Sequence, residues 1–454
     1  MASRFTALKL SSGEAFLLET EHAGRRIAIL VDSGKSKSGL AHPLCIAIRD
    51  QAPDVSHIDI AVCTHKDKDH SAGFATFADA WIRDGGTIGE FWLPGRWAIN
   101  FPNLLVDQEA YLSDLVEGFH EALQSEHLDG SERLFDEKRP STAARVRASY
   151  IDLIAKSELI TDRQRGVEAR EFEMFNPDAV EERRQRLATA LGTEVARLAA
   201  YEIETGVQSE SLVSGAKLNS HFYFWGAPVA FGRLQNLMET ADEIAAIADS
   251  AVRNSIPIRW FDFDPFERGE APRGGVWNVL TPLNSQELRS PPPREDTSAF
   301  KMMLFFSLHL SEQNVESLVF LRPETKTEPA VLFLGDSRLA FGVDKPEKNF
   351  NLPKTLIPSR ALLATAPHHG SRVNDRAYDV LNAWLGAAPA PPPLYVRNGG
   401  QWNQTLAKFL NTTDRACVHC WNCEQRKVRA RVIVVTTSNG AWDWSGQKSL
   451  CLQP

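Results

Sequence analysis

Short apolar runs separated by turn residues dominate the first part of the chain. Such runs lie at residues 16–18, 27–31, 58–63 and 88–92. Runs of this length between glycine-containing turns are typical of β-strands. Residues 1–10 alternate in the manner of a further strand, and we expect a helix at about residues 73–82.

The pattern changes at about residue 105. Residues 105–255 are rich in Glu, Arg, Ala and Leu with helical spacing, and their middle, at about 125–175, has the high charge of a mobile segment. β character returns at residues 258–263 and continues to the end. We therefore predict an α/β sandwich in which residues 1–104 and 256–454 form the two halves and residues 105–255 form a mainly helical insertion.

The composition is that of an ordinary soluble globular protein, with 454 residues, 43% hydrophobic and 24% charged. No apolar stretch approaches the roughly 18 residues that a membrane span requires. Residues 1–10 also lack the apolar core of a signal peptide. We therefore expect a cytoplasmic protein without a membrane partner. The formal net charge of −8 does not by itself favour a nucleic-acid-binding protein, although metal ions and local basic patches can carry such a contact.

A dense group of candidate metal ligands directly follows the apolar run at residues 58–63. Residues 64–70 read Thr-His-Lys-Asp-Lys-Asp-His, and the candidate ligands are His65, Asp67, Asp69 and His70. Alternate residues of an extended turn point the same way, so these side chains can converge as the chain bends. Imidazole with carboxylate suits zinc, manganese or iron, and the many oxygen donors favour manganese. The alternative is a charged surface loop.

Two later apolar runs also end in candidate ligands. The first leads into Gly335-Asp336, and the second leads into Pro367-His368-His369-Gly370-Ser371. A Gly-Asp pair or one histidine after a strand is often structural. Three such groups in one chain favour a metal site.

A separate group of cysteines lies near the end of the chain, at Cys417, Cys420 and Cys423. Their Cys-x-x-Cys spacing fits two ligands of a structural zinc ion, and His419 or Cys451 would complete a set of four. The alternative is a group of reduced thiols. This group would not be the catalytic site.

The run His65-x-Asp67-x-Asp69-His70 resembles the His-x-His-x-Asp-His signature of metallo-β-lactamase-fold hydrolases, with Asp in the second His place. Together with Gly335-Asp336 and residues 367–371, that substitution resembles the extramembrane hydrolase domain of ComEC-type DNA-uptake proteins. The resemblance covers roughly residues 5–95 and 255–445. It implies a four-layer αβ/βα sandwich in which Asp32, in Val31-Asp32-Ser33-Gly34, buttresses the metal loop.

The resemblance also implies the ligand sets. His65 and Asp67 would bind a first metal ion, Asp69, His70 and His368 would bind a second, and Asp336 would bridge both. The histidine that often completes the first site is not evident. His309 is a candidate for it, but it lies earlier in the chain than expected. A single-metal enzyme that uses Asp69, His70, Asp336 and His368 therefore stays open. One or two zinc or manganese ions are the expected cofactors.

Metal-assisted hydrolysis is the chemistry that such a site performs, because a bound cation lowers the pKa of water and stabilises developing charge. Asp69, His70 and His369 are the candidate catalytic residues. The ComEC-like resemblance implies a nuclease, with nucleic acid as the substrate. Lys66, Lys68, Ser371 and Asn403 are candidate substrate-binding residues, and the alternative is that they only support or solvate their loops.

Two other functions remain open on the same fold, because fold does not fix substrate. One is hydrolysis of a small molecule such as a lactone, a thioester or a cyclic nucleotide. The other is an inactive metal-binding partner protein. Free-standing relatives of the domain resemble regulated effectors of anti-phage defence. The insertion would then be a cover or a docking surface, controlled by a partner protein or an activating protease, and the alternative is a decoration without a regulatory role.

Overall fold

Two β-sheets lie face to face in the computed structural model and share one apolar core. The structure describes residues 2–36, 41–99, 240–288, 316–341, 349–386, 391–399, 407–418 and 432–443, which all belong to one unit of the chain. Aromatic side chains of the two sheets meet in this core. The ring centroids of Phe5 and Phe333 are 6.1 Å apart, and those of Trp92 and Phe320 are 5.4 Å apart. The chain is therefore of the mixed α/β class that the sequence predicts.

The first sheet is mixed, and its strands are numbered along the chain. They are β1 (Arg4–Ala7), β2 (Phe16–His22), β3 (Arg25–Val31), β4 (His57–Val62), β5 (Thr87–Pro94), β6 (Ile258–Asp262), β8 (Gln286–Glu287), β14 (Ile433–Ser438) and β15 (Ala441–Asp443). Among the described residues the order is β15-β14-β1-β2-β3-β4-β5-β6-β8. Strands β3 to β6 are parallel to one another, and the pairs on either side of them are antiparallel.

The second sheet is also mixed. Its strands are β7 (Thr281–Pro282), β9 (Phe320–Arg322), β10 (Val331–Phe333), β11 (Leu363–Thr365), β12 (Leu394–Arg397) and β13 (Asp414–Cys417). Their order is β13-β12-β11-β10-β9-β7, again among the described residues. Strands β10 to β13 are parallel. The strands that the sequence predicts in both halves of the chain are thus confirmed where the structure describes them.

Helices cover the outer faces of both sheets. They are α1 (Pro43–Gln51), α2 (Lys68–Ser71), α3 (Phe74–Arg83), α4 (residues 240–253), α5 (Asp264–Glu267), α6 (Asp375–Leu385) and α7 (Ala407–Asn411). The apolar face of α3 packs on the first sheet, with the Phe74 ring 4.8 Å from that of Phe91. Helix α6 packs on the second sheet, where the ring centroids of Tyr378 and Tyr395 are 4.9 Å apart. No helix in the described part of the chain is long and apolar enough to cross a membrane.

The parallel strands bring the candidate ligands to one edge of the molecule. Strand β3 leads into Asp32 and β4 into His65, while β10 leads into Asp336 and β11 into His368. The two sheets are joined at this edge by a hydrogen bond of 2.9 Å from the Leu318 N–H to the Thr64 carbonyl. Residues that are distant in sequence therefore meet because the carboxyl ends of parallel strands share an edge.

Residues 240–255 are the described part of the predicted insertion, and helix α4 occupies most of them, as expected. It packs on α3, where Asp79 accepts hydrogen bonds from Ser250 Oγ (2.7 Å) and Asn254 Nδ2 (2.8 Å). Its buried Glu243 lies 3.0 Å from Ser71 Oγ, at the end of α2. The last turns of the insertion are thus integrated with the helices beside the first sheet. The rest of the predicted insertion, up to residue 239, lies outside the described residues.

A buried polar cluster joins the two sheets away from the ligand edge. Arg322 of β9 pairs with Glu328 and donates a hydrogen bond of 2.9 Å to Thr20 Oγ1 of β2, and that hydroxyl donates to Glu328 at 2.8 Å. Thr20 pairs with Ile27 near the start of β3, whereas the ligand edge follows the end of β3. The arginine pairs with the carboxylate and both contact the hydroxyl, so we interpret this cluster as structural.

Candidate metal centre

The loop after β4 is folded by its own backbone so that imidazole and carboxylate side chains converge. Helix α2 begins after Asp67, whose carbonyl accepts hydrogen bonds from the N–H groups of His70 (2.8 Å) and Ser71 (2.9 Å). This turn brings His70 back beside His65, with ring centroids 4.1 Å apart. The predicted strand-to-helix loop is therefore confirmed.

Asp336 is the point at which the candidate ligands meet. Its Oδ2 lies 3.5 Å from Nε2 of His65 and 3.5 Å from Nε2 of His368, and its Oδ1 lies 3.3 Å from Nε2 of His70. Asp67 Oδ2 lies 3.6 Å from the same His65 nitrogen. These residues, His65, Asp67, His70, Asp336 and His368, are called the Asp336 cluster below.

The ligand atoms at the centre of the cluster fit a small divalent cation. Nε2 of His65, Nε2 of His70 and Oδ1 of Asp336 are buried and have no hydrogen-bond partner among the described residues. Buried polar atoms are normally paired, so such a convergence requires an explanation. Ligands about 2.0–2.1 Å from a tetrahedral zinc ion are about 3.3–3.4 Å apart, close to the separations found here.

The cluster is closed on one side and open on the other. His65, His70 and Asp336 are buried, whereas the side chains of Asp67 and His368 are 24% and 25% exposed. Structural metal sites are closed, and catalytic sites keep a position for water or substrate. The cluster therefore has one side on which a further ligand can approach.

Asp32 fixes the orientation of both buried imidazoles. Its Oδ2 lies 2.8 Å from His70 Nδ1, and its Oδ1 accepts a hydrogen bond of 2.8 Å from the Thr64 N–H. The Thr64 hydroxyl donates to Asp32 (2.9 Å to Oδ2), so it accepts from His65 Nδ1 at 2.9 Å. Because Nδ1 of each ring is held on this side, each Nε2 is directed at Asp336. Carboxylates commonly orient metal-binding histidines in this way.

His369 lies beside the Asp336 cluster, but its ring contacts other groups. Its Nε2 is 2.8 Å from Asp69 Oδ2, and its Nδ1 is 2.9 Å from the Asn398 carbonyl oxygen and 3.0 Å from Glu14 Oε2. A carbonyl oxygen only accepts, so Nδ1 carries a proton and Nε2 is the atom directed at Asp69. The structure therefore separates His369 and Asp69, as a hydrogen-bonded pair, from the ligand atoms around Asp336.

Carboxylates determine the charge of these imidazoles. Burial and His70 lower the pKa of His65, but Asp336 and Asp67 outweigh them and raise it to about 9. Burial also lowers the pKa of His369, yet Glu14 and Asp69 raise it to about 10. In the opposite direction, burial raises the pKa of Asp69, but the hydrogen bond from His369 and the charge of His70 bring it below its ordinary value. The metal-free site thus holds imidazolium–carboxylate pairs at neutral pH.

Glu14, His70 and His369 form a second group of potential ligand atoms. The Nδ1 atoms that face Glu14 are already committed, because His70 Nδ1 contacts Asp32 and His369 Nδ1 contacts the Asn398 carbonyl. A metal ion bound there would have to break these hydrogen bonds as well as displace the protons. We therefore interpret this second group as a hydrogen-bonding network.

The segments that follow β10 and β11 adopt strained backbone conformations. His368 and His369 have positive φ angles of 48° and 52°, which are uncommon for residues other than glycine. Gly335 has a φ of 47°, and a Cβ there would lie 2.3 Å from Ser317 Oγ and 2.9 Å from Thr64 Oγ1. Such strain is concentrated at functional sites in proteins. Here it lets the Asp336 and His368 segments approach the loop that carries His65.

The predicted substrate-binding residues do not all lie beside the Asp336 cluster with exposed side chains. Lys66 and Lys68 are half-buried on the loop that carries the ligands, and Lys66 borders a cleft next to His65. Burial lowers the pKa of Lys66 to about 8, against the charges of Asp67 and Glu316. Ser371 is buried, and its hydroxyl oxygen accepts a hydrogen bond from the Val373 N–H. Asn403 lies outside the described residues.

The predicted cysteine site is only partly within the described residues. Cys417 ends β13 and is buried in the apolar core on the outer side of the second sheet, whereas Cys420 and Cys423 lie outside the described residues. The structural zinc site stays a prediction.

Glu14 is the site residue that sequence reasoning missed. It lies in the run Ser11-Ser12-Gly13-Glu14, which has the composition of an exposed turn before β2, yet its side chain is only 2% exposed. A lone acidic residue in a turn gives no sequence signal of burial. Its contact with His369, which follows a strand of the second sheet, arises only when the two sheets pack together.

Comparison with known proteins adds no family assignment. No protein-family model and no curated protein matches the sequence. Function is therefore inferred from the geometry of the site and from the motifs in the chain.

We expect the substitution Asp32→Asn to weaken metal binding about 10- to 100-fold, the range found for groups that orient metal ligands. An amide places an N–H₂ group where Asp32 now accepts hydrogen bonds from Thr64 or His70. Competition with a chromophoric chelator measures the affinity. Asp379→Asn, at an exposed carboxylate on α6, is the control. An Asp32→Asn protein that binds zinc as tightly as this control would contradict the role given to Asp32.

We also expect metal affinity to rise with pH. Below its raised pKa of about 9, His65 carries a proton that a metal ion must displace. The apparent dissociation constant should therefore fall about tenfold per pH unit, for each displaced proton, between about pH 6 and pH 8.5. Titration at several pH values measures this slope. An affinity that does not change with pH would show that His65 is not a ligand.

Proposed function

We propose that this chain is a metal-dependent hydrolase of the metallo-β-lactamase fold that cleaves phosphodiester bonds in DNA or RNA. The observation that carries the proposal is the Asp336 cluster, in which buried ligand atoms without hydrogen-bond partners among the described residues lie beside an open face. The fold supports the proposal as well. Two sheets share a core, α3 and α6 cover their outer faces, and ligands collect at one edge, as expected of the four-layer sandwich.

The donor set defines the expected metal. Imidazole nitrogens from His65, His70 and His368, with carboxylate oxygens from Asp336 and Asp67, favour zinc or manganese. When bound, the ion would lower the pKa of a water molecule and stabilise charge on the scissile group. A second ion that used Asp69 would require this residue to leave His369. The number of ions bound per chain therefore distinguishes the two ligand sets that the sequence leaves open.

Asp69 and His369 would orient the attacking water. The Asp69 side chain is 37% exposed, whereas His369 is buried. One oxygen of Asp69 accepts from His369 Nε2, and the other is available to accept a hydrogen bond from water at the open side of the cluster. Because His369 Nδ1 is held by the Asn398 carbonyl, the proton that is shared with Asp69 is the one on Nε2. The pair therefore orients the attacking water, which donates a hydrogen bond to the second oxygen of Asp69.

The lysines of the ligand loop support an anionic substrate. Lys66 and Lys68 flank Asp67, so both ammonium groups are carried by the loop that supplies the metal ligands. Ammonium groups beside a metal ion bind and position phosphate oxygens. A phosphodiester uses both features, since the ion and the lysines neutralise its charge together.

The cleft beside His65 favours a second candidate, the hydrolysis of a small molecule such as a lactone, a thioester or a cyclic nucleotide. It is lined by apolar side chains, including Trp97 and Phe263, and by the ionisable side chains of Lys66 and Glu316. Small molecules bind in mostly apolar pockets with a few polar groups. Nucleic acid instead contacts an extended cationic surface.

The test is cleavage of plasmid DNA, single-stranded DNA and RNA with added manganese, zinc or magnesium. We expect metal-dependent cleavage by the parent protein. The double substitution Asp69→Ala, His70→Ala removes one residue of the water-orienting pair and one proposed metal ligand, and it should lower the rate by at least about a hundredfold. The Asp379→Asn protein should cleave like the parent. Metal content, measured in parallel, shows whether each protein is loaded.

The outcomes separate the candidate functions. A metal-loaded parent that leaves all three nucleic acids intact but opens lactones, thioesters or cyclic nucleotides is a small-molecule hydrolase. A metal-loaded parent that hydrolyses none of these substrates, both as purified and after limited proteolysis within residues 125–175, would overturn the enzymatic proposal and leave a metal-binding partner protein. Equal cleavage by the parent and the double variant would show that the activity comes from elsewhere.

A further inference from the structure

We propose that Glu14 is a positioning residue that holds Asp69 and His369 together beside the Asp336 cluster. The inference rests on the proposed function, because it gives Glu14 a part in the same reaction. Glu14 belongs to neither the metal-ligand motif nor any other sequence motif of this chain. Its role follows from contacts of both its side chain and its backbone.

The carboxylate of Glu14 faces two imidazoles. Oε2 accepts a hydrogen bond of 3.0 Å from His369 Nδ1, and Oε1 lies 3.5 Å from His70 Nδ1. The His70 and His369 ring centroids are 5.2 Å apart. One buried carboxylate thus spans the distance between a ligand of the Asp336 cluster and the histidine that contacts Asp69.

The backbone of the same residue contacts the other member of the pair. The Glu14 N–H donates a hydrogen bond of 3.0 Å to the Asp69 carbonyl, and the Glu14 carbonyl accepts one of 2.9 Å from Gly34. Gly13 has a φ of 80°, and a Cβ there would lie 2.3 Å from the Asp69 carbonyl oxygen. The turn therefore approaches Asp69 more closely than a side chain at residue 13 would allow. Glu14 holds Asp69 through its N–H and His369 through its carboxylate.

Comparison with Glu328 distinguishes positioning from simple stabilisation. Glu328 is equally buried, but it pairs with Arg322 and with the Thr20 hydroxyl, away from the ligand edge. The contacts of the Glu14 carboxylate among the described residues are with the two imidazoles. Without Glu14, the Asn398 carbonyl would be the remaining partner of His369 Nδ1. Glu14 adds a second contact at the same nitrogen, which keeps Nε2 aligned with Asp69.

The test compares Glu14→Ala, Glu14→Gln and the control Glu328→Gln. We expect Glu14→Ala to lower kcat about a hundredfold per bound metal ion, with KM and metal affinity within about threefold of the parent values. Glu14→Gln keeps an oxygen that can accept a hydrogen bond from His369, so its kcat should be about tenfold higher than that of Glu14→Ala. Glu328→Gln should lower stability but leave kcat per folded molecule unchanged. Long-range ¹H–¹⁵N spectra of the histidine rings, assigned with His369→Gln, report the Nδ1–H group without any substrate.

In those spectra, the Nδ1–H signal of His369 should be sharp in the parent and broadened in Glu14→Ala. A Glu14→Ala protein with the parent kcat and an unchanged ring signal would overturn the proposal. So would a rate that falls only in proportion to the folded or metal-loaded fraction. If the parent hydrolyses none of the substrates, the proposed function fails, and the ring signal alone then decides whether Glu14 positions His369.

Discussion

The buried carboxylate of Asp32 is the constraint on which the rest of the site depends. It contacts His70 directly and His65 through the Thr64 hydroxyl. Both rings consequently present Nε2 to Asp336, which follows a strand of the other sheet. Asp32 itself adopts a positive φ of 61°, a strained conformation that the surrounding strand ends maintain.

The site concentrates charge where burial is costly. Glu14, Asp32 and Asp336 are buried together with the imidazoles that they contact. Desolvation disfavours each ion, and it is offset only where opposite charges and hydrogen bonds are well aligned. A divalent cation would supply further positive charge at Asp336, at the atoms that lack hydrogen-bond partners among the described residues. We infer that metal binding stabilises the folded chain, because the ligand geometry requires the two sheets to be packed together.

Sequence reasoning reached the strands and most of the residues that converge at Asp336, and its failures have a physical cause. Apolar runs that end in His65, Asp336 and His368 predicted strand-end ligands, because strand position depends on local pattern and on turn residues. The contact between Asp69 and His369 was not predicted, since it depends on how the two sheets pack. Glu14 was missed for the same reason. An acidic residue in a polar turn is assigned to the surface unless the tertiary fold is known.

The central claim is that imidazoles converge on Asp336 to bind a metal ion, and X-ray absorption of the protein loaded with one equivalent of zinc tests it most directly. We expect a first shell of nitrogen and oxygen atoms at about 2.0–2.1 Å. The outer-shell scattering should be that of imidazole rings, about three per zinc ion, as expected for His65, His70 and His368. Sulfur ligands at about 2.3 Å would place the zinc at the cysteines instead. A spectrum without imidazole scattering would contradict the site described here.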